Sequence, residues 1–456
     1  MSFPHATKRG LSFPLCILAA SVAAEDSSTK QQQEIAALRQ QNTQLSARLD
    51  ALEQRSATPQ SVGDRLRLID ISLDILMAAG TSTAKDAEIP NLQGGGHDPS
   101  RRGFTFQGAE LSLAGAVDPF FTAEAHLVAI RHEPSGETGI EVEEAFAKTT
   151  SLPYQLEAKG GIYLTEFGRF NPSHPHSWAF IDQPVIHSRV FGGDGLRGPG
   201  ARISYGLPTT WMSEVLVGMQ DANGETVQSF LANDEVGAVG GRPYVERDTK
   251  NLGSMLTNAR WSNGFDVGQD GMMKIGVSGA TGPNAAGDNT RTNLWGADVA
   301  YKWHPSGGKN GWPFVLVESE YIERVYQVDA VDLSDGAGGS LGQADSATLR
   351  DRGIVAQVVY GFYPEWSVGL RAERCVGSGQ NIVTQDDGSQ TLESRRDDPL
   401  RDNRTRMSAL IGYQPSEFAH FRLQYNHDRA DHSGNPEHSI WFGIEFLIGA
   451  HPAHNF

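Results

Sequence analysis

Apolar and polar residues alternate with a period of two along most of this chain. In residues 65–79, Ile69, Ile71, Leu73, Ile75 and Met77 share one face, and Asp70, Ser72 and Asp74 share the other. A strand with one apolar and one acidic face suits a wall between lipid and water. In 119–131, the pattern assigns Phe121, Ala123, Ala125, Leu127 and Ala129 outward, with Glu124 and His126 inward. The run 438–449 is the clearest, with Ile440, Phe442, Ile444, Phe446 and Ile448 opposite Ser439, Trp441, Gly443 and Glu445. The same reading predicts further strands at 103–116, 139–149, 154–164, 198–206, 211–220, 253–262, 271–280, 292–303, 312–327, 351–362, 366–375, 403–413 and 418–429.

Seven connections are short, and six of them carry proline: Asp118-Pro119, Leu152-Pro153, Leu207-Pro208, His304-Pro305, Tyr363-Pro364 and Gln414-Pro415, with Ser262 to Gly271 as the seventh. The intervening connections are longer and rich in Gly, Asp, Asn and Ser. Short turns at one end and long loops at the other predict an all-β fold, an antiparallel transmembrane β-barrel of about sixteen strands in the outer membrane. A soluble sandwich or β-helix has no reason to favour long loops on alternate connections only. Tyr154, Tyr205, Trp211, Trp261, Trp303, Trp312, Tyr363, Trp366, Tyr413 and Phe418 cluster near strand ends, as an interfacial aromatic girdle does. The chain ends on Phe456, although Gly449 to Asn455 separate this aromatic from the last alternating run.

The period changes before the first strand. Ile35, Leu38, Asn42, Leu45, Leu49 and Leu52 follow a 3–4 spacing. That places them at the a and d positions of a short coiled coil, with Asn42 at an a position where it sets register. Glu34 with Arg39, and Arg48 with Glu53, match across parallel helices. Upstream, Lys8-Arg9, the apolar run Leu11 to Ala24 and the small residues Val22-Ala23-Ala24 read as a secretory signal. The expected organisation is a signal peptide at 1–24, a periplasmic coil at 25–56, a linker at 57–64 and a barrel at 65–456.

Composition refines this picture. A mean hydropathy of −0.38 suits a barrel in which only alternate residues face lipid. A formal net charge of −17 argues against nucleic acid as a partner. Bulky Phe13 and Leu15 beside Cys16 do not fit a lipid-attachment motif. Signal cleavage would leave Cys375 as a lone thiol, read as a small packed side chain.

The connection 165–197 is long and partly apolar, with Phe167, Phe170, Trp178, Phe180, Ile181, Val185, Ile186 and Phe191. Such a loop packs against something, and in a barrel the inner wall is available. It then narrows the lumen. Glu166, Arg169, Asp182, Arg189, Asp194 and Arg197 are the candidate constriction charges, because rings of charge set ion preference. Three acids and three bases also allow a second reading, in which they pair and hold the loop.

His174-Pro175-His176 and nearby His187 invite a metal reading, but the proline separates the two imidazoles and no cysteine is close. His451 and His454 form a second weak pair. No metal or other cofactor is expected. Asp428, Asp431 and His432 lie together without a paired nucleophile, so an enzyme is not expected. Gly193-Asp194-Gly195 reads as a turn.

Two segments carry a resemblance. LEAKGGIYLTEFGRFNP (156–172) and RGPGARISYG (197–206) resemble the strands flanking the inward loop in the phosphate-selective porin O and P-like family of Gram-negative outer membranes. The resemblance implies a signal peptide, a short coiled segment and a homotrimer of sixteen-stranded barrels. The barrel pattern makes outer-membrane lipid an expected partner, and the aromatic Phe456 at the chain end makes the barrel-assembly machinery another. The family's phosphate specificity rests on channel arginines and lysines. That ladder is not matched here, where Asp70, Asp74, Glu110 and Glu124 stand on inner faces of early strands. The runs GGGHDPSRRGFTFQ (94–107), FGRFNPSHPHSW (167–178) and GAHPAH (449–454) resemble other outer-membrane proteins, some labelled TonB-dependent or zinc-regulated receptors. A large transporter barrel needs a plug domain, for which residues 25–64 are too few.

The expected activity is passive diffusion of small hydrophilic solutes or ions through a porin lumen narrowed by the 165–197 loop. The alternatives are a TonB-dependent-like or zinc-linked uptake receptor, and a structural or adhesion barrel.

Overall fold

The computed structural model describes residues 69–449 except 132–134 and 309–310. The expected signal segment, coil and linker, the His451/His454 pair and terminal Phe456 lie outside the described residues.

Sixteen strands close into one antiparallel barrel. They are β1 (Ile69–Ser82), β2 (Gly103–Ala116), β3 (Phe121–Arg131), β4 (Thr138–Thr149), β5 (Leu156–Leu164), β6 (Arg197–Gly206), β7 (Met212–Gln220), β8 (Leu256–Val267), β9 (Gly271–Pro283), β10 (Arg291–Trp303), β11 (Phe314–Val328), β14 (Ala347–Tyr363), β15 (Trp366–Ser378), β18 (Arg404–Ser416), β19 (Ala419–Ala430) and β20 (Glu437–Gly449). Two small hairpins stand on the long loops, β12 (Val331–Ser334) with β13 (Ser340–Ala344) and β16 (Gln380–Thr384) with β17 (Gln390–Ser394). Closure is made by β1 against β20, with Ile75 opposite Phe446 and Ala79 opposite Phe442.

All sixteen expected strands are present. Several run further than the pattern suggested: β14 starts at Ala347, β8 reaches Val267, and β18 passes through Pro415 before its turn. The hairpins were not foreseen, because short polar strands carry no apolar alternation.

The period of two is realised as inside and outside. Along β14, Ile354, Val358, Tyr360 and Phe362 are exposed, while Leu349, Asp351, Val355 and Val359 at the alternate positions are buried. Exposed Ile69, Ile203, Trp295, Leu370, Met407 and Ile448 continue the apolar exterior around the wall. An apolar belt on a closed barrel with no free edge is the outer-membrane solution for strands in lipid. Tyr154, Trp211, Tyr363, Trp366 and Phe418 are exposed at the short-turn end, where an interfacial girdle belongs.

The core lies inside the barrel. The connection 165–196 folds into the lumen, and its Phe167, Ile186, Val190 and Phe191 are fully buried. They join Phe230 and Leu231 of the loop 221–255 and wall residues Leu294, Ile322 and Cys375 in one cluster. A second cluster joins Ile89 and Leu92 of the short helix α1 (Ile89–Leu92) to Ala78, Ile181 and Trp441.

Candidate functional site

The inward loop is closed on itself at its base. Asn171 donates to the carbonyls of Thr165 (2.7 Å) and Leu196 (3.0 Å) and accepts from Leu196 N–H (2.8 Å). Gly168 has φ +68°, and a Cβ there would fall 1.7 Å from Glu320 Oε1. Only glycine allows this close approach, which lets Glu320 accept the N–H groups of Arg169 (2.9 Å) and Phe170 (3.1 Å). Helix α2 (Val185–Phe191) follows Pro184 and ends at Gly192, φ +94°. All seven of its residues are buried. Ile186 lies against Gly353 of β14, where an added Cβ would sit 2.9 Å from it.

The six charged residues singled out from the sequence are anchored to the wall and neighbouring loops. Glu166 meets Lys159 and Arg202 at 3.1 Å each. Arg169 meets Glu318 at 2.8 Å, and Arg189 meets Asp402 at 3.0 Å. Arg197 bonds Glu141 at 2.9 Å and approaches Glu143 at 3.5 Å. Asp194, the most exposed of the six, lies 4.0 Å from His97. Asp182 is the most heavily bonded. It accepts from Arg371, from Arg406 (2.9 Å), from Gln424 (2.7 Å) and from Asn426 (3.0 Å). Burial pushes its carboxyl pKa up, but the Arg371 and Arg406 guanidiniums and the hydrogen bonds prevail and hold it down to about 2.

On strands β2–β4 the loop meets a histidine–carboxylate cluster. A β-bulge sets this up: Glu144 pairs with His126 and Val142 with Leu127, leaving Glu143 as the extra residue. A bulge re-aims side chains, so the consecutive Glu143 and Glu144 are both buried. His174 bridges them, with Nδ1 3.0 Å from Glu143 and Nε2 2.9 Å from Glu144. His176 Nδ1 lies 3.1 Å from Glu110 Oε2, and His126 Nδ1 lies 2.7 Å from Glu110 Oε1. The second bulge, at Gln107 between the pairs Leu76–Gly108 and Met77–Phe106, turns the Gln107 amide to donate to the carbonyls of His97 (2.7 Å) and Ile181 (3.2 Å).

The acidic inner face seen on the early strands does not continue round the barrel. Arg324 on β11, Arg371 on β15, Arg404 and Arg406 on β18 and Arg422 on β19 are buried inside. They pair with carboxylates: Arg324 with Asp351 (2.8 Å), Arg404 and Arg406 with Asp428 (2.8 and 2.9 Å), and Arg422 with Glu445 (2.8 Å). The signal was present in the period of two. Arg404, Arg406 and Ser408 share one face of β18, opposite Met407, Ala409 and Ile411, but the early strands alone had suggested an acidic wall. His432 bonds Asp402 at 2.9 Å, while Asp428 is taken up by the two arginines.

No family model matches the chain. An uncharacterized protein of Aquifex aeolicus (strain VF5) is 28% identical over 399 residues, 82% of this chain and 76% of that one. Among solved structures, the outer membrane channel DcaP of Acinetobacter baumannii is similar at a TM-score of 0.50 and 12% identity, covering 83% of this chain and 97% of that one. An anion-selective porin from Comamonas acidovorans gives 0.48 and 10%, covering 83% and 99%. The likeness to DcaP is one of fold, and it agrees with the closed barrel and apolar exterior in marking this chain as a sixteen-stranded outer-membrane β-barrel.

Proposed function

We propose that the protein is a non-enzymatic outer-membrane channel through which small hydrophilic solutes or ions diffuse passively, narrowed by the 165–196 loop. The observation that carries this reading is the loop itself, folded inside a closed barrel and bonded through His174 to β4 and through Asp182 to β18. Glu166, Arg169 and Asp194 keep partial contact with solvent and are the proposed lining of the constriction, whereas Arg197, like Asp182 and Arg189, is buried. Glu166 and Arg169 are matched by partners of opposite sign, and Asp194 stands 4.0 Å from His97. A lining of paired charges presents dipoles more than net field, so the expected ion selectivity is weak. Self-association as a homotrimer through the N-terminal coil belongs to the same reading, and a monomer on unheated gel electrophoresis would count against it.

Single-channel recording of the refolded protein in a planar bilayer, under a salt gradient, tests the proposal. Steady open steps with a small reversal potential are expected, and deletion of residues 172–190 should raise the conductance. Unchanged conductance in that deletion would remove the loop from the permeation path. The apolar cluster joining the loops 165–196 and 221–255 favours a second reading, an occluded barrel that opens on binding a ligand. A silent, correctly folded barrel would select it.

A further inference from the structure

In the permeation reading the histidine–carboxylate cluster between the inward loop and strands β2–β4 serves only to anchor the loop. Its members come from separate elements: Glu110 from β2, His126 from β3, Glu143 and Glu144 from β4, and His174 and His176 from the loop. One ligand atom from each of Glu110, His126 and His174 can be chosen so that all three lie within 4.8 Å of one another. We propose that these three residues, with His176 and Glu143 beside them, bind a divalent first-row transition-metal ion, which staples the 165–196 loop to the barrel wall.

The argument begins with charge. Asp74, Glu110, Glu143 and Glu144 are all buried here. The cations that act on them are each shared with another carboxylate: Arg197, 3.5 Å from Glu143, bonds Glu141, Lys159 near Glu144 bonds Glu166, and Arg422 near Asp74 bonds Glu445. Negative charge is therefore in excess, and three imidazoles face it. The rings of His126 and His174 are centred 4.5 Å apart, and those of His174 and His176 lie 5.5 Å apart. Three imidazolium cations at that spacing repel one another inside a low dielectric. A single divalent ion balances the carboxylates while leaving the imidazoles neutral, the form in which their nitrogens are ligands.

The donors also suit the ion. Imidazole with carboxylate selects zinc and its first-row neighbours, whereas magnesium and calcium take oxygen ligands. Tetrahedral zinc with bonds of about 2.0–2.2 Å needs donors roughly 3.4 Å apart by that geometry. Glu110 Oε1 and His126 Nδ1 at 2.7 Å, and Glu110 Oε2 and His174 Nδ1 at 3.4 Å, lie at or inside this spacing, and the three donors span no more than 4.8 Å, so side-chain shifts of about 1.5 Å or less complete the site. Two further observations point the same way. Asp74 Oδ1 is buried without a hydrogen-bond partner, and Asp74 Oδ2 lies 3.7 Å from His176. A cavity of about 20 Å³ bordered by Glu143, Ser173 and Pro175 adjoins the cluster, enough for one water. The proline that separates His174 from His176 is no obstacle, because the wall supplies the other ligands.

Metal binding is separable from permeation and is tested without any conductance measurement. The full chain, refolded in detergent and stripped with a chelator, should take up one tight equivalent of zinc by calorimetry, and magnesium should not compete. The double variant His126→Gln/His174→Gln, with folding checked by heat-modifiable gel mobility, should lose that equivalent. The variant His451→Ala/His454→Ala should keep it. On the wild-type chain, zinc should protect His174 from carbethoxylation, read by mass spectrometry, and this decides the matter if the double variant fails to fold. Absence of a tight equivalent in the wild type, its retention in the folded double variant, or unprotected His174 at saturating zinc would each overturn the proposal.

Discussion

Asp182→Ala removes the acceptor on which the far end of the inward loop depends. Asp182 is 1% exposed and bonds Arg371, Arg406, Gln424 and Asn426. Removing one partner of a buried ion pair costs about 3–5 kcal/mol. Here Arg371 keeps Glu373 at 2.9 Å and Arg406 keeps Asp428 at 2.9 Å, so the lower end applies, about 3 kcal/mol. At about 1.4 kcal/mol per tenfold, the ratio of docked to undocked loop falls roughly 100-fold. The loss should be local, because β15, β18 and β19 retain their ladders. Hydrogen exchange read by mass spectrometry is the suitable assay, since it reports local opening free energies. Peptides within 165–196 should exchange roughly 100-fold faster, with strand peptides unchanged. Asp182→Asn should behave similarly, because an amide cannot balance two guanidiniums. Loop exchange within about threefold of wild type, well under one decade on the scale used above, would refute the claim that this carboxylate docks the loop.

Acid should produce a milder version of the same change. The Asp182 carboxyl is lowered to about 2 from an unfolded value near 3.9. Its contribution is therefore fully present above about pH 4 and lost as pH falls through about 2; loop protection that stays flat between pH 4 and 2 would contradict this. Asp351→Asn should lower the urea midpoint of heat-modifiable mobility by an amount equivalent to about 3–5 kcal/mol, because Arg324 and Arg401 are both buried against that carboxylate at 2.8 and 3.2 Å. Trp441→Ala should cost a similar amount, about 3–5 kcal/mol, since Trp441 is fully buried with Ala78, Ile89, Leu92 and Ile181 where β20 closes on β1. An unmoved midpoint in either variant would refute its assignment.

The chain's own pattern determined the wall. Period-two alternation, prolines at one set of turns and aromatics beside them fixed strand number, order and facing, because lipid on one side and lumen on the other act on every residue independently of its distant neighbours. The apolar content of 165–197 likewise implied that the loop packs inward. Only the tertiary structure decided what that loop touches. The partners of Asp182 lie 189 to 244 positions away, and a periodicity confined to single strands carries no information about which strand faces which across the lumen. The arginines of β15, β18 and β19 became visible as partners once closure placed them opposite the loop. The histidine cluster depends on one inserted residue in β4. That bulge leaves the consecutive Glu143 and Glu144 both buried on the inner side of β4, and a two-residue period cannot announce its own interruption. His174-Pro175-His176 looked unsuited to one ion as a linear motif; the barrel supplies Glu110 and His126 from two other strands, because closure brings distant residues to one point that local spacing does not encode.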